Sequence, residues 1–428
     1  MDLKCPKDTW LFLAGELYLT IKKGQVDIFG AIYNQGDQIE IPKYRSAPLY
    51  TIEDSELEIQ FEEDGYIAEC SEPLIPEDWI QLANELSEKE KGYTVMAIGG
   101  VDTGKTGLIT FLANKLVSVN KKVAIIDADT GQSDIGPPST IGLGKIEKPI
   151  IHLSQAEFVD AFFVGNVTPA GVLDRSITGT FEMVRRAKEA NFDMILIDTT
   201  GWVSDRWGRE LKILKFLTVR PDMVVFIEKT REELWHLKKA MQGVYTEIRH
   251  VTAPLRLRSR SWEIRRKIRA EMFTREFDDA REVVIPLDSV GISYGFIGTG
   301  REPSEDTILF LENILGDSIP YVEESEDAII LFTDKKLPRN VLEEIKGFLG
   351  KREAINITKE DLHHLLVCFT DLYGRYLGLG VILDFDPKDR KLLVWTNARL
   401  DILSNIQFGH MKVNPNGEEE GKFEPWIV

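Results

Sequence analysis

Short apolar runs separated by turn residues fill the first 76 residues. Apolar and β-branched residues dominate the runs, and Gly15, Gly24, Gly36 and Gly65 stand between them. Turns at such regular spacing are typical of a small β-sandwich. We therefore predict an N-terminal β-sandwich domain at residues 1–76. Its strands are expected at residues 11–13, 16–21, 25–29, 38–41 and 57–61.

The pattern changes at residue 77, where apolar runs begin to alternate with amphipathic stretches. The apolar runs contain few polar residues, as expected of strands that are buried on both faces. The stretches between them repeat apolar residues at helical spacing. This alternation predicts an α/β domain, with a parallel sheet flanked by helices, at residues 77–320. Strands are expected at residues 93–98, 122–126, 194–197 and 223–227, and helices at 77–91, 106–119 and 177–190.

A third domain is predicted at residues 321–428. An acidic stretch leads into a strand-like run at 328–332 and then a helical pattern at 339–349. Two more strand-like runs, at residues 377–385 and 391–395, flank a polar turn. Because strands and a helix are mixed here without regular alternation, we expect a small α+β domain.

Composition narrows the protein classes that fit this pattern. The chain has 428 residues, of which 43% are hydrophobic and 29% charged, as in ordinary globular proteins. With 52 basic and 70 acidic residues the net charge is −18, which excludes a wholly basic nucleic-acid coat but leaves room for a local basic patch. Three cysteines without CxxC spacing cannot form a disulfide framework, and they favour a reducing compartment such as the cytoplasm. No apolar run is long enough to span a membrane, so we expect no membrane partner.

The segment after the first strand of the α/β domain fits the phosphate-binding pattern GxxxxGK[ST]. Glycines let backbone N–H groups turn around a phosphate, and the N-terminus of the following helix adds positive potential. Lys105 should reach the β- and γ-phosphates of a nucleoside triphosphate such as ATP, and the Thr106 hydroxyl should coordinate Mg²⁺. The predicted fold class is therefore α/β, with a central P-loop NTPase sheet. The predicted nucleotide-binding residues are Gly99, Gly100, Val101, Asp102, Thr103, Gly104, Lys105, Thr106 and Gly107.

Acidic residues follow two further strands of the predicted sheet. Asp127 and Asp129 lie two residues apart in a DxDxGQ motif that ends at Gln132, and Asp198 follows another apolar run in a Walker B pattern. The carboxyl ends of neighbouring parallel strands face the same crevice, so these carboxylates should approach the P-loop. One of the pair can hold the water shell of Mg²⁺, and the other can accept a proton from an attacking hydroxyl. In the Walker B pattern, Asp198 would order a metal-bound water.

A P-loop specifies phosphate binding but not the acceptor, so alternatives to a kinase stay open. Residues 198–201 also fit the DxxG motif of GTPases, and residues 358–361 fit [NT]KxD. The second match lies in the predicted third domain, whereas a guanine-binding loop should follow a strand of the nucleotide-binding sheet. A regulatory GTPase is therefore one alternative. A nucleotide-binding scaffold is another, although the intact Lys105, Thr106 and DxD motif weigh against it.

Together these motifs resemble the RNA-processing polynucleotide 5′-hydroxyl kinases of tRNA splicing, mRNA 3′-end formation and pre-ribosomal RNA maturation, with an archaeal-like member the best fit. The resemblance includes the P-loop with Asp102, residues 127–132, residues 163–169 and Thr200-Gly201-Trp202. It covers nearly the whole chain, since short motifs in both terminal domains also match. It implies ATP- and Mg²⁺-dependent phosphorylation of the 5′-hydroxyl end of RNA, with DNA as a further acceptor. Many members have Asn where this chain has Asp198, which adds a carboxylate here.

The resemblance also implies which residues act. By analogy with the MinD-like branch of P-loop proteins, Asp129 is the general base and Asp127 supports Mg²⁺. A loop after residue 163 clasps the substrate, and an indole stacks on its terminal base. The implied substrate-binding residues are Gln132, Asn166, Thr168, Trp202 and Arg260, and the implied contact with the donor nucleoside is Glu16.

An arginine-rich segment at residues 256–269 is the strongest local positive patch in this acidic chain. Ser261 is placed to cap a helix that begins at Trp262, and Arg265 and Arg269 share one face of that helix. In the family an arginine-rich lid falls here, which implies that both arginines stabilise the transferring phosphoryl group while Arg260 binds substrate phosphate. The alternative is a solvated, charged helix face.

Overall fold

The computed structural model describes residues 1–295, 297–316 and 318–423. It divides the chain into two units. The first unit comprises Met1–Phe162 and Thr168–Arg266, and the second comprises Phe163–Val167 and the chain from Lys267 onward. Among the described residues, no helix combines the length and the apolar character needed to cross a membrane.

The first unit begins with two antiparallel sheets. Their strands are β1 (Asp2–Cys5), β2 (Trp10–Ala14), β3 (Leu17–Lys23), β4 (Gln25–Ile28), β5 (Ala31–Asn34), β6 (Gln38–Ile41), β7 (Ser46–Thr51), β8 (Ser55–Phe61) and β9 (Tyr66–Cys70). The strand orders are β1-β8-β3-β6 and β5-β4-β7-β2-β9. Alternate residues of β3, including Leu17 and Leu19, share one buried core with Leu11 and Leu13 of β2. Two sheets around one apolar core confirm the predicted β-sandwich.

Helices and strands make up the rest of the first unit, apart from Phe163 at the end of one strand. They are α1 (Glu77–Ser87), β10 (Tyr93–Gly99), α2 (Lys105–Ser118), β11 (Val123–Ala128), β12 (Thr140–Ile146), β13 (Glu157–Phe163), α3 (Leu173–Glu189), β14 (Met194–Thr199), α4 (Arg206–Val219), β15 (Met223–Glu228), α5 (Trp235–Met241) and β16 (Glu247–Thr252). Every residue of β11, β14 and β15 is buried, as predicted for strands covered on both faces.

One sheet of order β13-β12-β11-β14-β10-β15-β16 forms the centre of the first unit. The strands from β11 to β16 in this order are parallel, which confirms the predicted α/β class. β12 differs from the prediction because it runs antiparallel to β11. The loop before β12 folds back over it so closely that a Cβ on Gly142 would lie 1.8 Å from the Ile135 carbonyl oxygen. Glycine is therefore required there, and it obscures the strand pattern in the sequence.

The register of the sheet brings the predicted functional segments together. Asp127 and Asp198 are direct partners across β11 and β14, and β10 lies on the other side of β14. All three strands are parallel, so their carboxyl ends meet at one edge of the sheet. The P-loop and both acidic segments therefore share that edge.

The β-sandwich packs against α2, the helix that follows the P-loop. The Asn114 side chain donates hydrogen bonds to the carbonyls of Phe29 (3.0 Å) and Ile150 (2.7 Å). Gly30 has φ +77°, and a Cβ there would lie 2.9 Å from the ring of Phe111. A turn of the sandwich thus approaches α2 so closely that a residue with a Cβ would clash.

The second unit continues the helix α6 (Trp262–Glu276), which begins in the first. Its other elements are β17 (Arg281–Pro286), β18 (Gly291–Ser293), α7 (Glu305–Leu315), β19 (Tyr321–Glu324), β20 (Ala328–Thr333), α8 (Arg339–Leu349), β21 (Glu353–Thr358), α9 (Lys359–Leu362), β22 (Leu365–Thr370), β23 (Tyr376–Asp386), β24 (Lys391–Thr396), β25 (Asn405–Val413) and β26 (Glu419–Lys422). One sheet has the order β17-β24-β23-β22-β25-β18, with β26 also paired to β25, and a smaller sheet has the order β19-β20-β21.

The division between units differs from the predicted boundary at residue 320. β17 pairs with β24, and β18 pairs with β25, so residues 281–293 belong to the sheet of the C-terminal strands. Ile285 is the one residue of these two strands that is buried, and their partners lie far along the chain. Local hydrophobic pattern therefore could not assign them to the C-terminal fold.

Gly30→Ala should destabilise the fold more than Gly36→Ala. Both glycines have positive φ, but a Cβ on Gly36 meets no atom within 4 Å, whereas one on Gly30 clashes with Phe111 on α2. The strained backbone should cost each variant about 1–2 kcal/mol, and overpacking should cost Gly30→Ala about 1–3 kcal/mol more. Thermal unfolding of the two variants measures the difference. Equal losses would mean that the sandwich does not pack on α2 at this turn.

Candidate active site

The P-loop between β10 and α2 is shaped by glycines and by one strained aspartate. Asp102 and Gly104 have φ +52° and +91°, and a Cβ on Gly104 would lie 2.9 Å from Pro254 Cδ. A Cβ on Gly99 would lie 2.5 Å from Thr103 Oγ1, whose hydroxyl donates to the Gly100 carbonyl at 3.0 Å. This close packing leaves no room for side chains at these glycines, and the turn leads into the N-terminus of α2, where backbone N–H groups can bind phosphate.

The Lys105 ammonium lies inside this turn. The side chain is buried, and its Nζ donates to the Gly100 carbonyl at 2.6 Å. Burial lowers the pKa of Lys105, although the carboxylates of Asp198 and Asp129 oppose that shift. The cation therefore faces the cradle with a neutral carbonyl as its partner, which a phosphate oxygen can replace.

Thr106 and Asp198 form the feature that best fits a divalent cation. The Thr106 hydroxyl donates to Asp198 Oδ2 at 2.6 Å, and Asp198 is buried. Burial raises the pKa of Asp198 to about 6, although Lys105 and Thr106 lower it. Asp198 Oδ1 is buried without a hydrogen-bond partner among the described residues. An orphaned carboxylate oxygen beside a hydroxyl is a donor set that suits Mg²⁺ and its water shell.

The two aspartates of the DxD motif are in different environments. Asp127 is buried, and its carboxylate accepts hydrogen bonds from the backbone N–H groups of Asp129 (3.1 Å), Asp134 and Ile135 (3.1 Å). Burial raises its pKa well above the ordinary value, and the charge of Asp134 adds to the shift. Asp127 thus anchors the loop that follows β11. Its support of Mg²⁺, which the resemblance implies, stays a prediction.

Asp129 is half-exposed and lines a cavity beside the P-loop. Its Oδ1 accepts from the backbone N–H groups of Gly131 and Gln132, each at 3.2 Å. These bonds hold the side chain in one orientation. Of the two aspartates, the geometry favours Asp129 as the group that meets a substrate hydroxyl.

The cavity of about 210 Å³ is lined by both polar and apolar residues. The polar lining comes from the P-loop, Asp129, Gln132 and the arginine-rich segment. The apolar lining comes from the β-sandwich, from α1 and from the segment between them: Phe12, Phe29, Pro48, Leu74 and Trp79. A lining of both kinds suits a nucleotide, whose phosphates need polar partners and whose base needs apolar ones. Glu16 is not among the lining residues, so its contact with the donor nucleoside stays a prediction.

Four arginines of the basic segment line the same cavity: Arg256, Arg258, Arg260 and Arg265. Arg265 Nη2 lies 3.4 Å from Asp102 Oδ1 in the P-loop, and Arg265 Nε donates to the Arg260 carbonyl. The Arg260 guanidinium donates to the Tyr44 carbonyl (3.2 Å) and to Gln132 Oε1 (3.4 Å), and burial lowers its pKa to about 10.

The helix behind these arginines begins as the sequence predicts. α6 starts at Trp262, and the Ile264 N–H donates to Ser261 Oγ at 3.4 Å. This bond is the predicted N-terminal cap.

Trp202 lies in a turn that packs on the P-loop. A Cβ on Gly201 would lie 2.7 Å from Val101 Cα, so the turn approaches the P-loop backbone too closely for any residue with a side chain. The half-exposed indole donates to Asp205 Oδ2 at 2.5 Å, while Asp205 Oδ1 caps α4 by accepting from the Gly208 N–H. One carboxylate therefore fixes both the helix and the ring.

Arg269 and Asn166 belong to the second unit, where they are buried. Arg269 Nε lies 2.5 Å from Glu419 Oε1. Thr168 belongs to the first unit, and its hydroxyl accepts from the Ala170 N–H at 3.4 Å. The predicted clasp and the predicted role of Arg269 in the lid therefore stay predictions.

The [NT]KxD match has a structural explanation. Thr358 caps α9, and the Asp361 carboxylate accepts from the Thr358 backbone N–H (2.8 Å) and pairs with Lys336. The carboxylate is thus committed to a capping box in the second unit. This removes a motif that the GTPase alternative needs.

Sequence reasoning missed a buried ion pair that joins the β-sandwich to the loop between β11 and β12. Arg45 donates to both carboxylate oxygens of Asp134, and His152 Nε2 lies 3.4 Å away from the same group. Although burial raises the pKa of Asp134, Arg45 holds it well below the usual range. The partners are distant in sequence, so no local pattern signals them.

Two buried lysines were also missed. Lys212 Nζ donates to the Thr200 carbonyl (2.6 Å) and hydroxyl (2.8 Å), and Lys215 Nζ lies 3.5 Å from the Ala128 carbonyl. These carbonyls immediately precede Gly201 and Asp129. The available signal was that both lysines occupy inward positions of α4, next to the buried Leu211 and Phe216. Lysine in an apolar helix stripe indicates an electrostatic partner inside.

Comparison with known protein families gives consistent results. The family model described as the mRNA cleavage and polyadenylation factor CLP1 P-loop matches residues 99–279. The chain is 33% identical over 349 residues to the polyribonucleotide 5′-hydroxyl-kinase of Thermococcus kodakarensis, covering 81% of this chain and 95% of that protein. It is 30% identical over 354 residues to the enzyme of the same name from Methanocaldococcus jannaschii, covering 81% and 94%.

A solved structure supports the fold independently of sequence. The structure of a wild-type Clp1p–Pcf11p complex matches with a TM-score of 0.65 at 15% identity, covering 96% of this chain and 97% of that chain. At this identity the match concerns the fold alone.

Lys215→Met should remove a pH dependence from stability. Burial lowers the pKa of Lys215 to about 7, although Asp129 and Asp127 oppose that shift. The unfolded chain has the ordinary lysine pKa of about 10.4. Between pH 7 and 9 the unfolded state therefore retains a proton that the native state releases, and the free energy of unfolding rises with pH.

Relative to Lys215→Met, the wild type should gain about 2 kcal/mol from pH 7 to pH 9. Denaturant unfolding of both proteins at the two pH values measures this difference. The exposed Lys148→Met is the control, since it keeps Lys215 and should gain the same stability with pH as the wild type. The same result for both variants would contradict the assignment of Lys215 as a buried cation.

Proposed function

The chain belongs to the polyribonucleotide 5′-hydroxyl-kinase family, and on that premise we propose that it transfers the γ-phosphate of ATP to the 5′-hydroxyl end of RNA. The observation that carries the proposal is that one cavity is lined by Lys105, Asp129 and Arg265. A phosphate cradle, a carboxylate and an additional cation are the groups that phosphoryl transfer to an alcohol requires. We extend the proposal to DNA as a second acceptor, and to the cytoplasm as the compartment.

Binding comes first in the proposed reaction. The P-loop N–H groups and Lys105 hold the β- and γ-phosphates, with the Lys105 ammonium leaving the Gly100 carbonyl for phosphate oxygen. The apolar residues that line the cavity then receive the donor base. Mg²⁺, when bound, would neutralise phosphate charge, and Thr106 and Asp198 would hold it.

Proton removal from the acceptor is assigned to Asp129. The 5′-oxygen forms a bond to the γ-phosphorus as the bond to the oxygen bridging the β- and γ-phosphorus breaks. The hydroxyl proton passes to the Asp129 carboxylate. Backbone bonds from Gly131 and Gln132 keep that carboxylate in place, and Asp127 fixes the loop behind it.

We assign the stabilisation of negative charge on the transferring phosphoryl group to Arg265 as well as to Lys105. The contact between Arg265 and Asp102 holds the guanidinium at the P-loop before phosphate arrives. Arg260 and Gln132 contact each other on the acceptor side of the cavity, where substrate phosphate would bind.

The direct test is a transfer assay. Purified protein, γ-labelled ATP and Mg²⁺ should label 5′-hydroxyl RNA oligonucleotides and leave 5′-phosphorylated ones unlabelled. DNA acceptors, GTP as donor and a chelator form the additional arms. GTP hydrolysis without labelling of any oligonucleotide would refute the kinase and favour the GTPase.

Lys105→Ala and Asp129→Asn should affect different steps. Loss of the ammonium should weaken both ATP binding and transfer, because it contacts phosphate in both states. Asp129→Asn should keep ATP affinity and lower kcat by roughly 10²–10⁴, because an amide cannot accept the proton. ATP titration and single-turnover transfer separate the two. A loss of ATP affinity in Asp129→Asn as large as in Lys105→Ala would assign Asp129 to metal or phosphate binding instead.

Arg265→Ala should lower kcat by roughly 10²–10³ with little change in acceptor KM, since its contribution is greatest in the transition state. Arg275→Ala is the matched control, because Arg275 is an exposed arginine on the same helix. Steady-state kinetics on one RNA acceptor measures both variants. If they behave alike, α6 is the solvated, charged helix and the lid assignment is wrong.

A further inference from the structure

Two exposed tryptophans of the first unit each lie against an arginine. The Arg206 guanidinium is 5.5 Å from the ring centre of Trp207, and that of Arg266 is 5.7 Å from the ring centre of Trp262. Trp207 is 56% exposed and Trp262 is 63% exposed. The same arrangement thus occurs at the start of two different helices, α4 and α6.

Large exposed indoles are unusual because tryptophan gains more from burial than most side chains. An arginine over one face of the ring contributes only about 0.5–1 kcal/mol at an exposed position. The pairs therefore leave most of the apolar surface in water. An aromatic face beside a guanidinium is a surface on which nucleic-acid bases stack, while the cation contacts phosphate.

Both pairs adjoin segments that line the cavity. Gly201 lines it, and the turn after Gly201 leads directly into Arg206 and Trp207. Trp202 in this turn is near the first turn of α4, since a Cβ on Gly208 would lie 2.7 Å from the Trp202 carbonyl oxygen. On the other helix, Trp262 is flanked by the cavity residues Arg260 and Arg265.

We propose that Trp207 with Arg206, and Trp262 with Arg266, are stacking platforms for bases of single-stranded RNA beyond its first two nucleotides. The inference rests on the proposed function, because it extends the acceptor site outward from the cavity. Charge complementarity supports this occupant: the pairs place arginines on a chain of net charge −18, which otherwise repels a polyanion. Stacking tolerates any base, so the platforms would select for strand length rather than sequence.

The test compares a short and a long acceptor. Steady-state kinetics is measured with a 5′-hydroxyl RNA dinucleotide and a 5′-hydroxyl RNA decamer, at fixed saturating ATP. In Trp207→Ala and Trp262→Ala the KM for the decamer should rise roughly 5- to 150-fold, as expected for loss of one stacked base. The KM for the dinucleotide should stay at the wild-type value, and kcat should change little for either acceptor.

Conservative and distant variants complete the design. Trp207→Phe and Trp262→Phe should recover most of the decamer affinity, because phenylalanine keeps a stacking face. Tyr245→Ala should have no effect. Tyr245 is fully exposed, but it precedes β16 and so lies at the edge of the parallel sheet opposite the P-loop.

The outcomes distinguish this inference from the proposed function. A wild-type protein that phosphorylates neither RNA refutes the kinase itself. If the wild type phosphorylates both, and both alanine variants keep the wild-type ratio of decamer KM to dinucleotide KM, the platforms are refuted while the kinase stands. An equal loss with both acceptors, or failure of the phenylalanine variants to recover, would show a structural role and also refute the platforms.

Discussion

The concentration of buried carboxylates at one edge of a parallel sheet is the constraint on which the rest of this structure depends. The register of β11 and β14 places Asp127 directly beside Asp198, and both are buried. A buried, unpaired carboxylate costs several kcal/mol. Lys212 and Lys215 are buried on α4. The negative charges of the nearby aspartates favour the protonated form of both lysines, against the effect of burial. The lysines thus place amino groups beside acidic residues on strands that are buried throughout.

The β-sandwich contributes the charged residue Arg45, as well as apolar residues, to the lining of the cavity. Arg45 holds Asp134, whose backbone N–H in turn donates to Asp127. Tyr44 accepts from Arg260, which also contacts Gln132. The segment that carries the candidate base is therefore restrained from both sides. This dependence explains why the P-loop sheet and the sandwich form one unit.

Local sequence pattern predicted the parts of this structure that local physics determines. Buried strands such as β14, the helix α8 and the glycine-rich P-loop each have a pattern that stands on its own. The antiparallel β12 and the largely exposed β17 could not be predicted, because β12 depends on a close backbone approach and β17 on a partner far along the chain. For the site, spacing identified Lys105 and the acidic motifs. The separate environments of the two DxD aspartates depend on tertiary hydrogen bonds and are invisible in the sequence.

The partner of each cation near the cavity indicates whether that cation can leave it to bind phosphate. Lys105 donates to a neutral carbonyl, and Arg265 makes a 3.4 Å contact with a partly exposed carboxylate. A triphosphate can replace either partner without leaving a buried charge unpaired. Arg45 and Arg269, by contrast, are committed to buried or nearly buried carboxylates, and removing them from those partners would be costly. Sequence pattern ranks all arginines of a basic segment alike, whereas the structure gives Arg265 and Arg269 carboxylate partners of different exposure. The role of Arg269 in the lid stays a prediction.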